Sequence, residues 1–353
     1  MTHILKKEKL LSFSALLSIL VVLIHTQNTW TYPVSFSGTA LEKFVYGLET
    51  FISGDIARLA VPAFFMLSGL LFYRDFDFSK YPAKMKNRFF SLMVPYLFWN
   101  FFRFALLYVI GKCSTPGSFQ HETRVVFTIP NLLEGLFFYK YNLGYWFMYQ
   151  LILYTLSCPL IYILLKKKPV GILALLAVVL IFSTDILGDF TVRVCNKRFL
   201  QMDGLFYYMF GAFIGIHHFE LANKNSRLTR RLAVFGFILG QVSFVLFHIT
   251  HWLFLHITFC AVSAVSFWYL FDIFKEKKLP AALTTITFFI YSAHGTVLEM
   301  LQGFIQTHFP MHALTALIEY LLLPVITLTV LVLISKVLKR LTPRIWSLIN
   351  GGR

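Results

Sequence analysis

Long apolar runs alternate with short polar segments along this chain, and the apolar runs predict its architecture. A helix that crosses the hydrocarbon core of a bilayer needs about 20 mainly apolar residues. Ten segments approach or reach that length, and we predict a membrane-spanning helix for each of them: residues 10–27, 56–73, 89–110, 145–165, 169–185, 203–218, 231–249, 252–273, 281–302 and 313–335. The expected fold is therefore an all-α integral membrane protein of about ten transmembrane helices, a single domain over residues 1–353 with no appended soluble domain.

The distribution of basic residues predicts the orientation of these helices. Most of the 32 lysines and arginines fall in alternate polar segments: near residues 6–9, 74–88, 166–168, 224–231, 275–278 and 336–353. Because cytoplasmic loops of membrane proteins carry an excess of Lys and Arg, both termini are predicted to lie in the cytoplasm. The same asymmetry accounts for the net charge of +16 without a nucleic-acid partner.

Composition supports the membrane assignment. The chain is 58% hydrophobic and only 14% charged, with a mean hydropathy of +0.69. A soluble domain of this length would carry more charge. The expected location of this chain is therefore the cell (plasma or inner) membrane. The first apolar run is followed by HTQNTWTYP, not by a small-residue cleavage site, so it is predicted to be a retained helix.

Common cofactor signatures are not found in the sequence. There is no Cys/His pattern with zinc spacing, no Walker loop and no glycine-rich dinucleotide fingerprint. We therefore expect no metal and no permanently bound cofactor. Of the four cysteines, Cys113 and Cys195 fall in different outer loops. A disulfide between them and two unpaired thiols are both compatible with the sequence, and the oligomeric state is also left open.

Ionisable residues inside the predicted helices are candidates for function, because such groups are costly in lipid and usually serve a purpose there. With the orientation assigned, His25, Arg58, Asp203, His294 and Glu299 all lie toward the outer side. This similar depth predicts a water-filled or substrate-filled cavity that opens outward. The structural alternative is a buried ion-pair network that only holds helices together.

The inner side shows a different pattern. The run VPAFFMLSGLLFYRDF contains Pro62, Ser68 and Gly69 within an otherwise apolar helix, and broken helices at membrane depth are tolerated where they line a cavity. Arg74 ends this run at the cytoplasmic face, and Arg88 begins the next helix there. Two guanidinium groups suit an anionic cytosolic ligand, phosphates included, although ordinary anchoring of the helix ends is the simpler alternative.

The chain resembles the membrane acyltransferase-3 family over most of its length. The resemblance rests on five stretches in order: VVLIHTQN, RLAVPAFFMLSGLLFYR, KNRFFSLMVPYLFWNFF, YWFMYQLILYTLSCPLIY and ITFFIYSAHGTVLEM. The second stretch is the most specific. Members of this family look like transferases that move acyl groups, commonly acetyl, from cytosolic acyl-coenzyme A to sugars outside the membrane.

The resemblance also carries over individual residues. The family's first-helix histidine falls on His25, its arginine after the serine–glycine pair on Arg74, and its late tyrosine–histidine pair on Tyr291 and His294. Two departures matter. Many members carry an arginine eleven positions before the first-helix histidine, where this chain has Ser14. Many also have R-x-x-R at the start of helix three, whereas here Arg88 is followed by Ser91.

Together these observations predict a membrane O-acyltransferase of the O-acetyltransferase type. His25 is the predicted base, or the transient acyl carrier, for transfer from acyl-coenzyme A to a hydroxyl of an extracytoplasmic glycan. His294 or Arg58 would stabilise the oxyanion. Donor-binding candidates are Arg74, Arg88 and Ser68, and acceptor-binding candidates are Trp146, Tyr149, Asp203, Glu299 and Tyr291. The alternatives are a polysaccharide-precursor transporter or flippase without acyl-transfer chemistry, and a receptor or scaffold.

Overall fold

The computed structural model describes residues 7–28, 38–113, 125–183, 191–194, 197–219, 227–274, 279–310 and 312–352. These residues are almost entirely helical. The α-helices are α1 Lys7–His25, α2 Ala40–Glu49, α3 Ala60–Tyr73, α4 Tyr81–Arg88, α5 Val94–Cys113, α6 Ile129–Phe138, α7 Trp146–Leu156, α8 Cys158–Leu165, α9 Lys168–Ser183, α10 Met202–Ile216, α11 Arg227–Thr250, α12 Leu253–Leu270, α13 Ala281–Thr284, α14 Thr287–His308, α15 Ala313–Leu341 and α16 Pro343–Ile349.

Each of the ten predicted segments coincides with a helix, but fewer meet the requirements for crossing a membrane. In the described part of the chain, six helical stretches are long and apolar enough: Lys7–His25, Ala40–Tyr73, Phe78–Cys113, Arg227–Thr250, Leu253–Leu270 and Ala313–Leu341. A seventh results if the pair Leu143–Leu156 and Cys158–Leu165, bent by 66°, forms one span. The multi-pass helical class is confirmed, whereas ten spans and cytoplasmic termini stay predictions.

Three features were not predicted from the sequence. The stretch before α3 was expected to be an outer loop, yet helix begins at Ala40 and continues through a π-helical turn at Thr50–Asp55 and a 3₁₀ turn at Ile56–Leu59. A small antiparallel hairpin, β1 Thr191–Val194 and β2 Lys197–Gln201, also precedes α10. A second π-helical turn, Phe89–Met93, lies between α4 and α5.

The contacts divide the chain into two compact units, of which the first comprises Met1–Val21, Gly54–Met85 and Leu153–Thr285. Its central feature is a close approach of α3 and α10 at three glycines. A Cβ atom on Gly211 would lie 2.0 Å from the carbonyl oxygen of Met66, and one on Gly69 would lie 2.1 Å from that of Tyr208. A Cβ atom on Gly215 would likewise lie 2.6 Å from the Leu70 carbonyl oxygen. Small residues allow helix backbones to approach closely in membranes, and here they bring α3 into backbone contact with α10.

The same unit contains a hairpin of α11 and α12 that also relies on small residues. Cβ atoms on Gly236 and Gly240 would lie 2.4 Å and 2.1 Å from the hydroxyl oxygens of Ser266 and Ser263. Most of α1, up to Val21, belongs to this unit, where the Lys9 ammonium lies 2.9 Å from a carboxylate oxygen of Asp272. This ion pair fixes the beginning of α1 against the 3₁₀ turn Phe271–Phe274 that follows α12.

The second unit comprises Val22–Ser53, Lys86–Ile152 and Ile286–Arg353. In it, two side chains of α5 bind the carbonyls that α6 leaves without partners at its C-terminus. The Tyr96 hydroxyl donates to the Phe137 carbonyl at 3.0 Å, and the Asn100 amide donates to that of Leu136 at 3.4 Å. The chain then turns at Tyr139, whose φ of 44° is left-handed. The Lys140 ammonium donates to Glu134 at 2.6 Å, and this hydrogen bond raises the pKa of Lys140.

Candidate active site

Two of the predicted catalytic residues come together in the second unit. His25 is the last residue of α1, and His294 lies on α14. The centroids of their rings are 5.1 Å apart, and the ring planes are inclined by 45°. The His25 side chain is exposed, whereas His294 is only 5% exposed. The pair therefore combines an accessible imidazole with a buried one in contact with it.

The hydrogen bonds of His294 identify its tautomer. Its Nδ1 lies 2.9 Å from the Ile290 carbonyl oxygen and 2.8 Å from that of Tyr291. A carbonyl oxygen only accepts, so Nδ1 must carry the hydrogen and donate. In the neutral ring Nε2 is then an acceptor, because the hydrogen bond made by one imidazole nitrogen determines the state of the other. As a neutral residue, His294 consequently offers a lone pair at Nε2 and not the N–H that an oxyanion needs.

Tyr291 and the start of α7 form an aromatic layer beside His294. The Tyr291 hydroxyl donates to the Gly144 carbonyl at 2.9 Å, and its ring centroid lies 5.5 Å from that of Tyr145. Tyr149 is nearly buried, with its ring 5.3 Å from that of Tyr139. Trp146 is half-buried at the first position of α7. These contacts hold Tyr291 and Tyr149 in place, and the role of the three residues toward an acceptor stays a prediction.

Glu299 has an ionic partner. The guanidinium of Arg103 on α5 donates to the Glu299 carboxylate, to the Thr296 hydroxyl at 3.5 Å and to the Tyr141 carbonyl at 3.3 Å. Only 12% of the Arg103 side chain is exposed, against 46% for Glu299. This single, partly exposed ion pair ties α5 to α14.

Two further predicted residues, Arg58 and Asp203, belong to the first unit. Arg58 is exposed in the 3₁₀ turn Ile56–Leu59. Asp203, at the second position of α10, accepts a hydrogen bond from the Gly204 backbone at 2.7 Å. Nearby, the Tyr154 hydroxyl donates to the Gln201 carbonyl at 2.6 Å, which holds the start of α10 against α7. The expected gathering of these two residues with His25 in one cavity stays a prediction.

The predicted donor-binding residues lie at helix ends. Arg74 follows α3, where its backbone N–H donates to the Leu70 carbonyl at 3.1 Å. Its half-buried guanidinium has no hydrogen-bond or ion-pair partner among the described residues. By contrast, Lys84 donates to the Phe72 carbonyl and lies 5.1 Å from the Phe72 ring centroid, which is a structural role. Ser68 is half-buried next to Gly69 on α3.

Arg88 is the last residue of α4 and belongs to the second unit, directly before the π-helical turn Phe89–Met93. Its side chain is half-buried.

Two other predictions concern metals and disulfides. Among the described residues, no cluster of three or more His, Cys, Asp or Glu side chains could hold a metal ion. The proposed partner of Cys113, Cys195, lies outside the described residues.

Comparison with known proteins points to acyl transfer. A family model described as an acyltransferase domain matches residues 15–336. The chain is also similar to the succinoglycan biosynthesis protein ExoH of Rhizobium meliloti, with 22% identity over 328 residues. That alignment covers 87% of this chain and 82% of the relative. No solved structure gives a significant match.

Proposed function

This chain belongs to the membrane acyltransferase-3 family, and from that premise we propose that it moves an acetyl group from cytosolic acetyl-coenzyme A to a hydroxyl of an extracytoplasmic sugar. The enzyme is an O-acyltransferase embedded in a membrane as a multi-pass helical protein. The proposed membrane is the cell membrane, and the proposed acceptor is a cell-surface polysaccharide. The name of its relative, a succinoglycan biosynthesis protein, supports an acceptor of this kind.

The observation that carries the mechanism is the contact of the His25 and His294 rings, 5.1 Å apart between centroids. A sugar hydroxyl is a poor nucleophile at neutral pH, so its proton must be removed as it attacks. His25 is accessible, and the ordinary pKa of imidazole suits a general base near neutral pH. In the proposed step, His25 accepts the hydroxyl proton while the hydroxyl oxygen forms a bond to the thioester carbonyl carbon.

The second half of the step releases coenzyme A. The tetrahedral intermediate collapses, the carbon–sulfur bond breaks, and the leaving thiolate takes the proton from the His25 imidazolium. The products are the sugar ester and the free thiol, and His25 is neutral again. A transient acyl-His25 intermediate is the variant of this scheme in which the ring itself attacks the thioester first.

His294 takes a supporting part in this proposal. With its Nδ1–H committed to the Ile290 and Tyr291 carbonyls, its Nε2 accepts a hydrogen bond from His25 or from the sugar. A bond from His25 leaves the other ring nitrogen of His25 to receive the acceptor proton, and a bond from a sugar hydroxyl other than the reacting one orients the acceptor. The oxyanion donor must then be another group, and Arg58 keeps that predicted role.

Substitution of His25 tests the proposal. We expect His25→Gln and His25→Ala to lower single-turnover acyl transfer by about a hundredfold to ten-thousandfold, the usual contribution of general-base catalysis. Coenzyme A binding should be retained, since the ring is not at the predicted donor end. His308→Gln is the matched control, because His308 is an exposed histidine on α14 away from this pair. Transfer by His25→Gln at close to the wild-type rate would show that the base lies elsewhere.

A cellular assay tests the acceptor. Membranes and surface glycans of cells with and without the gene should differ in ester-linked acetyl groups. A glycan that moves across the membrane without acquiring an ester would instead favour a transporter or flippase.

A further inference from the structure

The chain on either side of His25 is held by hydrogen bonds from two other helices. The carbonyl of Leu23, in the last turn of α1, accepts from the Thr26 backbone at 3.2 Å, the Thr26 hydroxyl at 2.9 Å and the Ser53 hydroxyl at 2.6 Å. The Tyr320 hydroxyl lies 2.8 Å from the Ser53 oxygen. Since the Ser53 hydrogen is used on Leu23, Tyr320 is the donor. Carbonyls at a helix C-terminus have no partner within the helix, and this one is fixed from outside.

Three residues after His25, Asn28 is held by a buried acid. Its backbone N–H donates to Glu49 Oε2 at 2.9 Å, and its side-chain Nδ2 donates to Glu49 Oε1 at 2.8 Å. The same Nδ2 also donates to the Ala316 carbonyl at 2.8 Å, so both of its hydrogens are used. Asn28 is fully buried, and Glu49 is 1% exposed.

The Glu49 carboxyl is in an unusual position for a residue with only a structural role. No lysine or arginine in the described part of the chain forms an ion pair with it. A buried acid without a cationic partner is costly, and a neutral side chain would fill the space at less cost. What this acid provides is a pair of acceptors spaced for both donors of Asn28, and therefore a fixed path for residues 26–28.

The exposure of His25 contrasts with that of its neighbours. Thr26 and Asn28 are fully buried, whereas the His25 side chain is exposed. The accessible His25 ring is thus attached to a backbone that hydrogen bonds fix on both sides. Reactive groups require such support, because misplacement by about 1 Å costs on the order of a hundredfold in rate.

We propose that Glu49 is a positioning residue for acyl transfer: through Asn28 it fixes the end of α1 and so holds the His25 imidazole against His294. Ser53 and Tyr320 fix the preceding turn through the Leu23 carbonyl and complete what we call the His25 clamp, made of Asn28, Glu49, Ser53 and Tyr320. This inference rests on the proposed function, in which His25 takes the acceptor proton.

The first test is Glu49→Gln in the full-length protein. The introduced amide has one acceptor oxygen instead of two, so its NH₂ group faces a donor of Asn28. We expect kcat to fall by about a hundredfold, with an unchanged KM for acetyl-coenzyme A. Glu42→Gln, on the same helix, is the control. Glu42 closes a capping box with Thr39, a role that Gln can also fill, and this variant should keep wild-type kcat.

A polarity swap separates positioning from misfolding. Asn28→Asp alone sets two carboxyls against each other and should also lose activity. Combined with Glu49→Gln, the carboxylate introduced at position 28 accepts from the new amide, so this side-chain pair is restored with donor and acceptor exchanged, and only the bond to the Ala316 carbonyl stays missing. We expect the double variant to regain at least about tenfold in kcat over Asn28→Asp, which lacks both bonds, and Tyr320→Phe, a milder change that keeps the ring, to lose several-fold. An inactive double variant together with wild-type activity in Tyr320→Phe would overturn the inference.

A double-mutant cycle distinguishes this inference from the proposed function itself. If Glu49 acts through His25, then Glu49→Gln should cause no further loss of single-turnover rate in a His25→Ala background. Multiplicative losses would overturn the role of Glu49 while leaving the role of His25 intact. Wild-type turnover by His25→Gln would instead refute the proposed function, independently of any result at Glu49.

Discussion

At the scale of single residues, the chemistry of a histidine depends on which ring nitrogen is already engaged. The Nδ1–H of His294 donates to two backbone carbonyls, so Nε2 is the ring nitrogen that remains to bind another group. His25 has an exposed ring and a fixed backbone. Two histidines that look equivalent in the sequence thus have different environments, which agrees with the different roles proposed for them.

His294→Asn tests this division. The asparagine amide can still donate to the carbonyls of the preceding turn, but it has no atom at the position of Nε2. We expect thermal stability close to wild type and a fall in kcat of about a hundredfold. His308→Asn is the matched control, since His308 Nδ1 lies 2.9 Å from the Phe304 carbonyl on the same helix and is exposed. Equal kcat values for the two variants would contradict the role of Nε2.

Arg74 provides a second prediction at this scale. Its half-buried guanidinium lacks a partner among the described residues, which leaves it available to an anionic ligand. We expect Arg74→Ala to weaken coenzyme A binding by about 1.5–3 kcal/mol, the value of a lost charge-assisted hydrogen bond, as measured by calorimetry. Arg88→Ala should behave similarly. Arg230→Ala removes the same charge from an exposed position on α11 and should have little effect. Unchanged affinity in both donor-site variants would reduce these arginines to membrane anchors.

The sequence singled out candidate residues but could not predict which of them lie next to each other. His25 and His294 stood out because an ionisable group in an apolar helix is expensive. Their contact joins positions far apart in the chain and has no local signature. Glu49 was missed because its segment was expected to be an outer loop; only the helix that begins at Ala40 makes it a buried residue. The capping box at Thr39 and Glu42 was the available signal.

At the scale of helices, the contact between α3 and α10 is the feature most sensitive to side-chain size. A Cβ on Gly211 would lie 2.0 Å from the Met66 carbonyl oxygen, a backbone atom that a rotamer change does not move. The two helices must therefore separate if this glycine is replaced. Since α3 carries Ser68 and precedes Arg74, such a shift would also reach the predicted donor end.

Gly211→Ala should consequently destabilise the protein by about 1–3 kcal/mol, the usual cost of overpacking. Gly303→Ala, in the interior of α14, is the control because nothing lies within 4 Å of its added Cβ. That change should be neutral or slightly stabilising, as alanine is a better helix former. Thermal unfolding of both variants in the same detergent provides the comparison, and equal midpoints would argue against the tight contact.

At the scale of the whole molecule, the arrangement of charges predicts the topology. Lys43 and Lys140 fall on the predicted outer side, and Lys277 on the inner side. In a background without native cysteines, a cysteine at position 43 or 140 should react with an impermeant reagent in intact cells. One at position 277 should react only after the membrane is opened. Labelling of position 277 from outside would require a different number of spans.

The number of membrane spans is a property that the hydrophobic pattern alone does not predict. The length of the apolar runs located one or two helices for each of the ten predicted segments, because hydrophobicity is a local property of the sequence. Whether a helix crosses the membrane depends also on its length and bends. The 66° bend between Leu143–Leu156 and Cys158–Leu165 and the short length of the helix Met202–Ile216 do not follow from hydrophobicity alone. A helical membrane fold is therefore predictable from sequence, whereas the exact topology requires experiment.

The π-helical turn Phe89–Met93 has a consequence for how this chain tolerates changes in length. A π turn holds one residue more than the α-helix it interrupts. Deleting a single residue there would restore regular α-helical hydrogen bonding and leave the facing of α5 relative to Arg88 nearly unchanged. Arg103 would still face Glu299, and Tyr96 the end of α6. A one-residue deletion in the regular part of α5 would instead rotate the residues on one side of it by about 100° relative to the other side.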